Sequence, residues 1–89
     1  MATIAVHPRV HQRHPELCDD DVLTAWESAL MSAPRLAADS IQYVAVGFDG
    51  RGRLLEMVVI RDALSGDWLI FRAMTPPSAK TYAEFGLKR

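Results

Sequence analysis

The chain has 89 residues, of which 49% are hydrophobic and 24% charged, and a formal net charge of −1. A chain this short fills one hydrophobic core, so we expect a single domain over residues 1–89. The composition excludes disorder, and the near-neutral charge argues against a strongly cationic nucleic-acid-binding protein. No apolar run approaches the roughly 20 residues that cross a bilayer, and the polar start does not have the apolar stretch expected of a signal peptide. The single cysteine cannot form an internal disulfide, which agrees with a reducing compartment. The sequence therefore predicts a cytoplasmic protein without membrane contact.

The first third of the chain predicts helices. Residues 2–6 form either a short edge strand or an arm, and residues 9–14 form one or two helical turns between Pro8 and Pro15. Acidic residues 19–21 then open an amphipathic helix, because acids in the first turn complement the helix dipole. One buried face is expected from the spacing of Val22, Ala25, Trp26, Ala29 and Leu30. Pro34 makes residues 31–39 an irregular connector in this interpretation.

Three apolar runs follow, at residues 40–48, 52–60 and 68–74. The turn signals Asp49-Gly50-Arg51 and Ser65-Gly66-Asp67 separate them, which is typical of strands joined by hairpins. After Pro76-Pro77, residues 78–85 are expected to form a short helix with Thr75 as its N-cap and Gly86 as a left-handed C-cap. The predicted fold class is therefore α+β, with a small antiparallel three-stranded meander covered by N-terminal helices and followed by a C-terminal helix.

Two charged residues interrupt the apolar strands. In the second strand, alternation puts Leu55, Met57 and Val59 on one face and Glu56 with Val58 on the other, and both faces are largely apolar, so this strand is expected to be interior. Alternation puts Arg72 on a face with Trp68 and Ile70. The simplest interpretation is a cross-strand ion pair between Glu56 and Arg72. If that face is open, the pair becomes a carboxylate base beside a phosphate-binding guanidinium.

Three histidines stand at positions 7, 11 and 14, the spacing of one helix face. Pro8 and Pro15 interrupt such a helix, and no further ligand cluster completes a metal set, so we expect no metal site. His11 or His14 remains a candidate acid or base.

Several segments resemble the BrnT-like toxins of type II toxin–antitoxin modules, which belong to the wider RelE-like group of ribonucleases. The similarity covers most of the chain. It rests on Arg13-His14-Pro15-Glu16-Leu17 before Asp19-Asp20-Asp21-Val22, on Tyr43-Val44-Ala45-Val46-Gly47-Phe48, on Gly52-Arg53-Leu54-Leu55-Glu56, and on Ile70-Phe71-Arg72-Ala73 with Tyr82.

The resemblance implies metal-independent cleavage of mRNA, without a cofactor, by a protein whose partner is an antitoxin. It implies His14, Glu56 and Arg72 as catalytic residues, since cleavage needs proton transfer and cations for the phosphate. RNA contacts are implied for Arg51, Arg53 and Lys80.

The alternative is a non-catalytic protein-interaction module on the same fold, which could contact a partner or its own copy as a homo-oligomer. It is favoured by the net charge and by Met74-Thr75, where the family often has a basic pair.

Overall fold

The computed structural model describes residues 3–36, 41–62 and 64–87, and within them it has an α+β fold. Three helices accompany five strands in this part of the chain. In chain order they are β1 (Ile4–Val6), α1 (Arg9–Arg13), α2 (Asp19–Glu27), β2 (Met31–Leu36), β3 (Ile41–Phe48), β4 (Leu54–Arg61), β5 (Trp68–Met74) and α3 (Ala79–Glu84). The strands form one mixed sheet in the order β1-β5-β4-β3-β2.

The predicted meander is confirmed, because β3, β4 and β5 pair antiparallel in succession. The sheet is wider than predicted by one strand at each side. β1, the segment that the sequence left undecided, pairs parallel to β5 from Ile4↔Trp68 to Val6↔Ile70. Since β1 ends there, no described strand pairs with the outer edge of β5 beyond Ile70.

The prediction of an irregular connector at residues 31–39 is wrong where the structure describes it. β2 pairs antiparallel with β3, with Pro34 opposite Tyr43. An edge strand tolerates proline, because a missing N–H on the solvent side removes no ladder hydrogen bond. Residues 37–39 lie outside the described residues.

Helix α2 is shorter than its apolar pattern predicts. Val22 and Ala25 are fully buried, as expected. The helix ends at Glu27, so the predicted burial of Ala29 and Leu30 is wrong, and Leu30 is 58% exposed. The backbone N–H of Leu30 donates to Val46 O at 2.8 Å, so the chain already lies beside β3 one residue before β2 begins.

The main core lies between helices α1 and α2 and one face of the sheet. Residues Leu55, Met57 and Val59 of β4 alternate into it and are fully buried, as the sequence predicts. The other members are Val10, Leu17, Val22, Ala25, Ala45, Ile70 and Ala73. On the second face, Val44 and Val46 are also at most 1% exposed, so the centre of the sheet is covered on both sides.

Helix α3 is tied to this second face at its N-cap, where Ser78 hydrogen-bonds to Glu56. Ser78, not the predicted Thr75, is the N-cap, since Ser78 Oγ accepts from Thr81 N at 3.3 Å. The Thr75 hydroxyl instead donates to Leu54 O at 2.7 Å. The predicted left-handed cap is confirmed, with a φ of 66° at Gly86.

The register of β4 against β5 shifts between Val58 and Val59. Val59 pairs with Ile70 and Val58 pairs with Arg72, which leaves Phe71 as an additional residue, a β-bulge. The prediction that Arg72 shares a face with Ile70 is therefore wrong. Arg72 lies opposite Val58, on the face that carries Glu56.

In the described segments, no helix has the length and apolar character required to cross a membrane.

Candidate functional site

A pocket of about 100 Å³ opens beside β5, along the stretch that β1 leaves unpaired. Helix α1 forms one wall, while β4 and β5 form the other. Its polar lining consists of Arg9, Arg13, His14, Glu56 and Arg72, and its apolar lining of Val10, Val58, Phe71, Ala73 and Met74.

The three residues that the sequence proposes for catalysis line this one pocket. His14 directly follows α1, Glu56 lies in β4, and Arg72 follows the bulge in β5. Residues 14, 56 and 72 are distant in sequence, so their convergence is a property of the fold. Their catalytic roles remain predictions.

Two further arginines were missed in the sequence. Arg9 and Arg13 are four residues apart on α1, so they lie on one side of the helix, and both are exposed. Within the described part of the chain, neither they nor Arg72 form an ion pair. Three guanidinium groups around one pocket favour an anion, above all a phosphate or carboxylate, which can accept two hydrogen bonds from one planar guanidinium. The signal in the sequence was the i, i+4 arginine pair.

His14 is held in a defined orientation. Its Nδ1 lies 3.1 Å from Glu16 Oε1, and its side chain is 36% exposed. A carboxylate oxygen only accepts hydrogen bonds, so Nδ1 carries the proton and Nε2 is left to exchange protons with a ligand.

Glu56 contacts the start of α3 as well as lining the pocket. Its Oε1 accepts from Ser78 N at 3.1 Å and from Ser78 Oγ at 3.0 Å. The register pairs Glu56 with Met74 and Val58 with Arg72, so Glu56 and Arg72 are diagonal neighbours. The predicted ion pair between them is not formed, because Arg72 has no ion-pair partner among the described residues.

His11 joins α1 to the start of α2. Its Nδ1 donates to Leu17 O at 2.7 Å and its Nε2 hydrogen-bonds to Asp19. Both partners are acceptors, so only the imidazolium form of the ring donates from both nitrogens. The bond to Asp19, followed by the bond to Leu17, raises the pKa of His11 above its ordinary value.

The histidines therefore do not share a ligand. His7 Nδ1 accepts from Arg9 N at 3.0 Å, at the start of α1, while His11 and His14 have the separate partners described above. Across residues 3–36, 41–62 and 64–87, no group of three or more His, Cys, Asp or Glu is arranged to hold a metal ion.

The three residues proposed for RNA contact do not line the pocket. Arg53 instead joins the β3–β4 turn to α2: its Nε donates to Asp49 Oδ2 at 2.7 Å and its Nη2 to Asp21 Oδ2 at 3.1 Å. Arg51 and Lys80 are exposed, on this turn and on α3. Contact of all three with RNA would need a second surface, and it remains a prediction.

Asp49 is the buried centre of that turn. Its side chain is fully buried, and its Oδ1 accepts from the backbone N–H groups of Arg51 at 2.9 Å and Arg53 at 2.8 Å. Burial acts to raise the pKa of Asp49, but these hydrogen bonds and that from the Arg53 side chain outweigh it, so the pKa is lowered. The sequence identified Asp49 as a turn former and gave no sign of this buried role.

No protein-family model, curated protein or solved structure matches this chain.

Proposed function

We propose that this protein is a metal-independent ribonuclease that acts as the toxin of a type II toxin–antitoxin pair. The observation that carries the proposal is the pocket itself. His14, Glu56 and Arg72, which the sequence proposes as the catalytic residues, line it together with Arg9 and Arg13. Proton-transfer groups beside uncompensated guanidinium groups are what cleavage of a phosphodiester requires.

The proposed reaction is attack of a ribose 2′-hydroxyl on the adjacent phosphorus. The Glu56 carboxylate accepts the hydroxyl proton as the new O–P bond forms. Arg9, Arg13 and Arg72 bind the phosphate oxygens, whose charge increases in the transition state. His14 Nε2 donates a proton to the 5′-oxygen as its bond to phosphorus breaks. The products are a 2′,3′-cyclic phosphate and a 5′-hydroxyl end, and no metal ion takes part.

Local charge supports RNA as the ligand despite the net charge of −1. Two acids of the N-terminal half are engaged away from the pocket arginines, Asp21 with Arg53 and Asp19 with His11. The arginines at the pocket are left without such partners in the described structure. A local cluster of cations attracts a polyanion even when the whole chain is neutral.

The test is cleavage of RNA by the purified protein in EDTA. Cleavage should persist in EDTA, and His14→Ala should lower the rate by about 10²–10⁴-fold, the usual contribution of general acid–base catalysis. Arg72→Ala should lower it by about 10²-fold, as loss of a transition-state donor does. Arg61→Ala is the matched control, because Arg61 is exposed, lies over Trp68 and does not line the pocket.

RNA that stays intact at high protein concentration would contradict the proposal. Activity that disappears in EDTA, or that survives in both pocket variants, would contradict the mechanism.

Two observations favour the second candidate, a non-catalytic protein-interaction module. Glu56 already receives two hydrogen bonds from Ser78, and Met74 stands in the pocket where the family often has a basic residue. Induced expression in bacteria distinguishes the two. Growth arrest that His14→Ala relieves supports the toxin, whereas harmless accumulation of the folded protein supports the module.

A further inference from the structure

The pocket has two chemically different walls. The α1 wall is cationic, whereas the sheet wall has Val58, Phe71 and Met74 as apolar lining beside Arg72. A site for phosphate alone has no use for an apolar wall, since inorganic phosphate is fully polar. The apolar lining therefore favours a ligand that carries an apolar face next to its anionic group.

The bulge in β5 is the reason that an aromatic ring reaches this wall. Phe71 is the additional residue between the pairs Val59↔Ile70 and Val58↔Arg72. Ile70 before it and Ala73 after it are buried at 0% and 4% exposure, whereas Phe71 remains partly exposed. Bulges often lie beside functional sites, where they redirect a side chain. Phe71 is therefore a partly exposed aromatic surface in the same pocket as the arginines.

The size of the pocket limits what can lie on this surface. An apolar cavity of about 150 Å³ takes up a benzene molecule. At about 100 Å³ this pocket is smaller than that, but it is open to solvent, so one planar ring would lie partly in the pocket and partly in solvent, and a stacked pair would not fit.

We propose that Phe71, with Val58 and Met74, binds one unstacked nucleobase of the RNA whose phosphate the arginines hold. The inference rests on the proposed function for the identity of the ligand. It adds a base subsite, and with it a requirement for single-stranded RNA, since a base within a duplex cannot reach an aromatic side chain.

The experiment measures binding of a short fluorescently labelled single-stranded oligoribonucleotide by fluorescence polarisation, in a His14→Ala background that prevents cleavage. Phe71→Ala should weaken binding about tenfold, as loss of one base–aromatic contact does, and Phe71→Trp should bind as well as the parent. Phe48→Ala is the matched control, because Phe48 is 44% exposed on β3 and does not line the pocket.

Two further measurements separate a base contact from general damage. Binding of inorganic phosphate, followed by NMR, should be the same in Phe71→Ala as in the parent. Removing one base at a time from the oligonucleotide should weaken binding about tenfold at a single position in the parent, and by no more than twofold at that position in Phe71→Ala.

Unchanged oligonucleotide affinity in Phe71→Ala would overturn the base subsite while leaving the proposed function intact. An equal loss of phosphate binding would overturn it too, by showing that Phe71 only supports the arginines. Absence of RNA binding in the parent protein would overturn the base subsite and the proposed function together.

Discussion

Gly47 gives the sharpest test of how α2 lies on the sheet. Gly47 is a buried residue of β3, and a Cβ added there would lie 2.1 Å from Ala25 O and 3.1 Å from Ala29 Cα. Ordinary contact begins at 3.4 Å, so α2 and β3 would have to separate by about 1.3 Å. Both of these neighbours are backbone atoms, which cannot rotate aside as a side chain can. Gly47→Ala therefore moves the helix or fails to fold.

The magnitude follows from what that separation disturbs. Overpacking a core costs about 1–3 kcal/mol, and we expect the upper end because the obstacle is backbone. Val22 and Ala25, both fully buried, would lose contact with the sheet as α2 shifts. A loss of about 3 kcal/mol from a domain of this size lowers the melting temperature by roughly 12–24 °C.

Gly50→Ala is the matched control. A Cβ at Gly50 meets nothing within 4 Å. The change should leave the free energy of unfolding within about 1 kcal/mol of the parent, or raise it by restricting the unfolded chain. Thermal and urea denaturation followed by circular dichroism measure both variants. A Gly47→Ala protein within about 0.5 kcal/mol of the parent would refute the close contact between α2 and β3, and so would an equal loss in Gly50→Ala.

Three further predictions concern the ionic contacts. Asp49→Ala should lower the free energy of unfolding by about 1–3 kcal/mol, measured in urea, because it leaves donors of Arg53 without an acceptor; unchanged stability would contradict this. The pKa of His11 is raised above 6.5 in the folded protein. Its contribution to the free energy of unfolding is therefore complete below pH 6.5 and is lost as pH rises through the folded-state pKa. Melting temperature measured from pH 6 to 9 should therefore fall less in His11→Gln than in the parent. The pKa of Asp49 is lowered below 3.8 in the folded protein, so its contribution to the free energy of unfolding is lost as pH falls through that lower pKa. The stability of Asp49→Ala should therefore fall less steeply in acid than that of the parent.

The strands show which parts of the fold the sequence can predict. β4 is regular and central, so simple alternation gave its two faces correctly. The same rule failed for β5, because a bulge arises from the pairing of two strands and leaves no mark on the alternation of one. The shift at Phe71 places Arg72 on the face of Glu56, where alternation had placed it with Ile70.

The failure at β2 has a different cause. Pro34 has the same local signature in an irregular connector and in an edge strand. Its position at the edge is set by the order of all five strands. Likewise, Ala29 and Leu30 continue the apolar spacing of α2 although the helix ends at Glu27. A pattern of side chains does not by itself fix where the backbone turns.

The candidate site was predicted in part for a similar reason. Glu56 and Arg72 are charged residues within apolar strands, so they could be recognised one at a time, whereas His14 was selected among three histidines only by the family resemblance. Arg9 and Arg13 look like ordinary surface residues until α1 is placed beside β5. Arg53 looked like a free cation until Asp49 and Asp21 were placed around it.

The shortness of β1 links the fold to the site. β1 pairs with β5 only as far as Ile70, and an unpaired strand edge invites association with other chains unless something covers it. Helix α1 follows β1 after two residues and lies beside that edge, carrying Arg9 and Arg13. The bulge begins one residue after the pairing ends, and it brings Phe71 and Arg72 to the same place. Helix α1, which covers this sheet edge, thus carries two of the three arginines of the pocket. Extending β1 along β5 would close the candidate site.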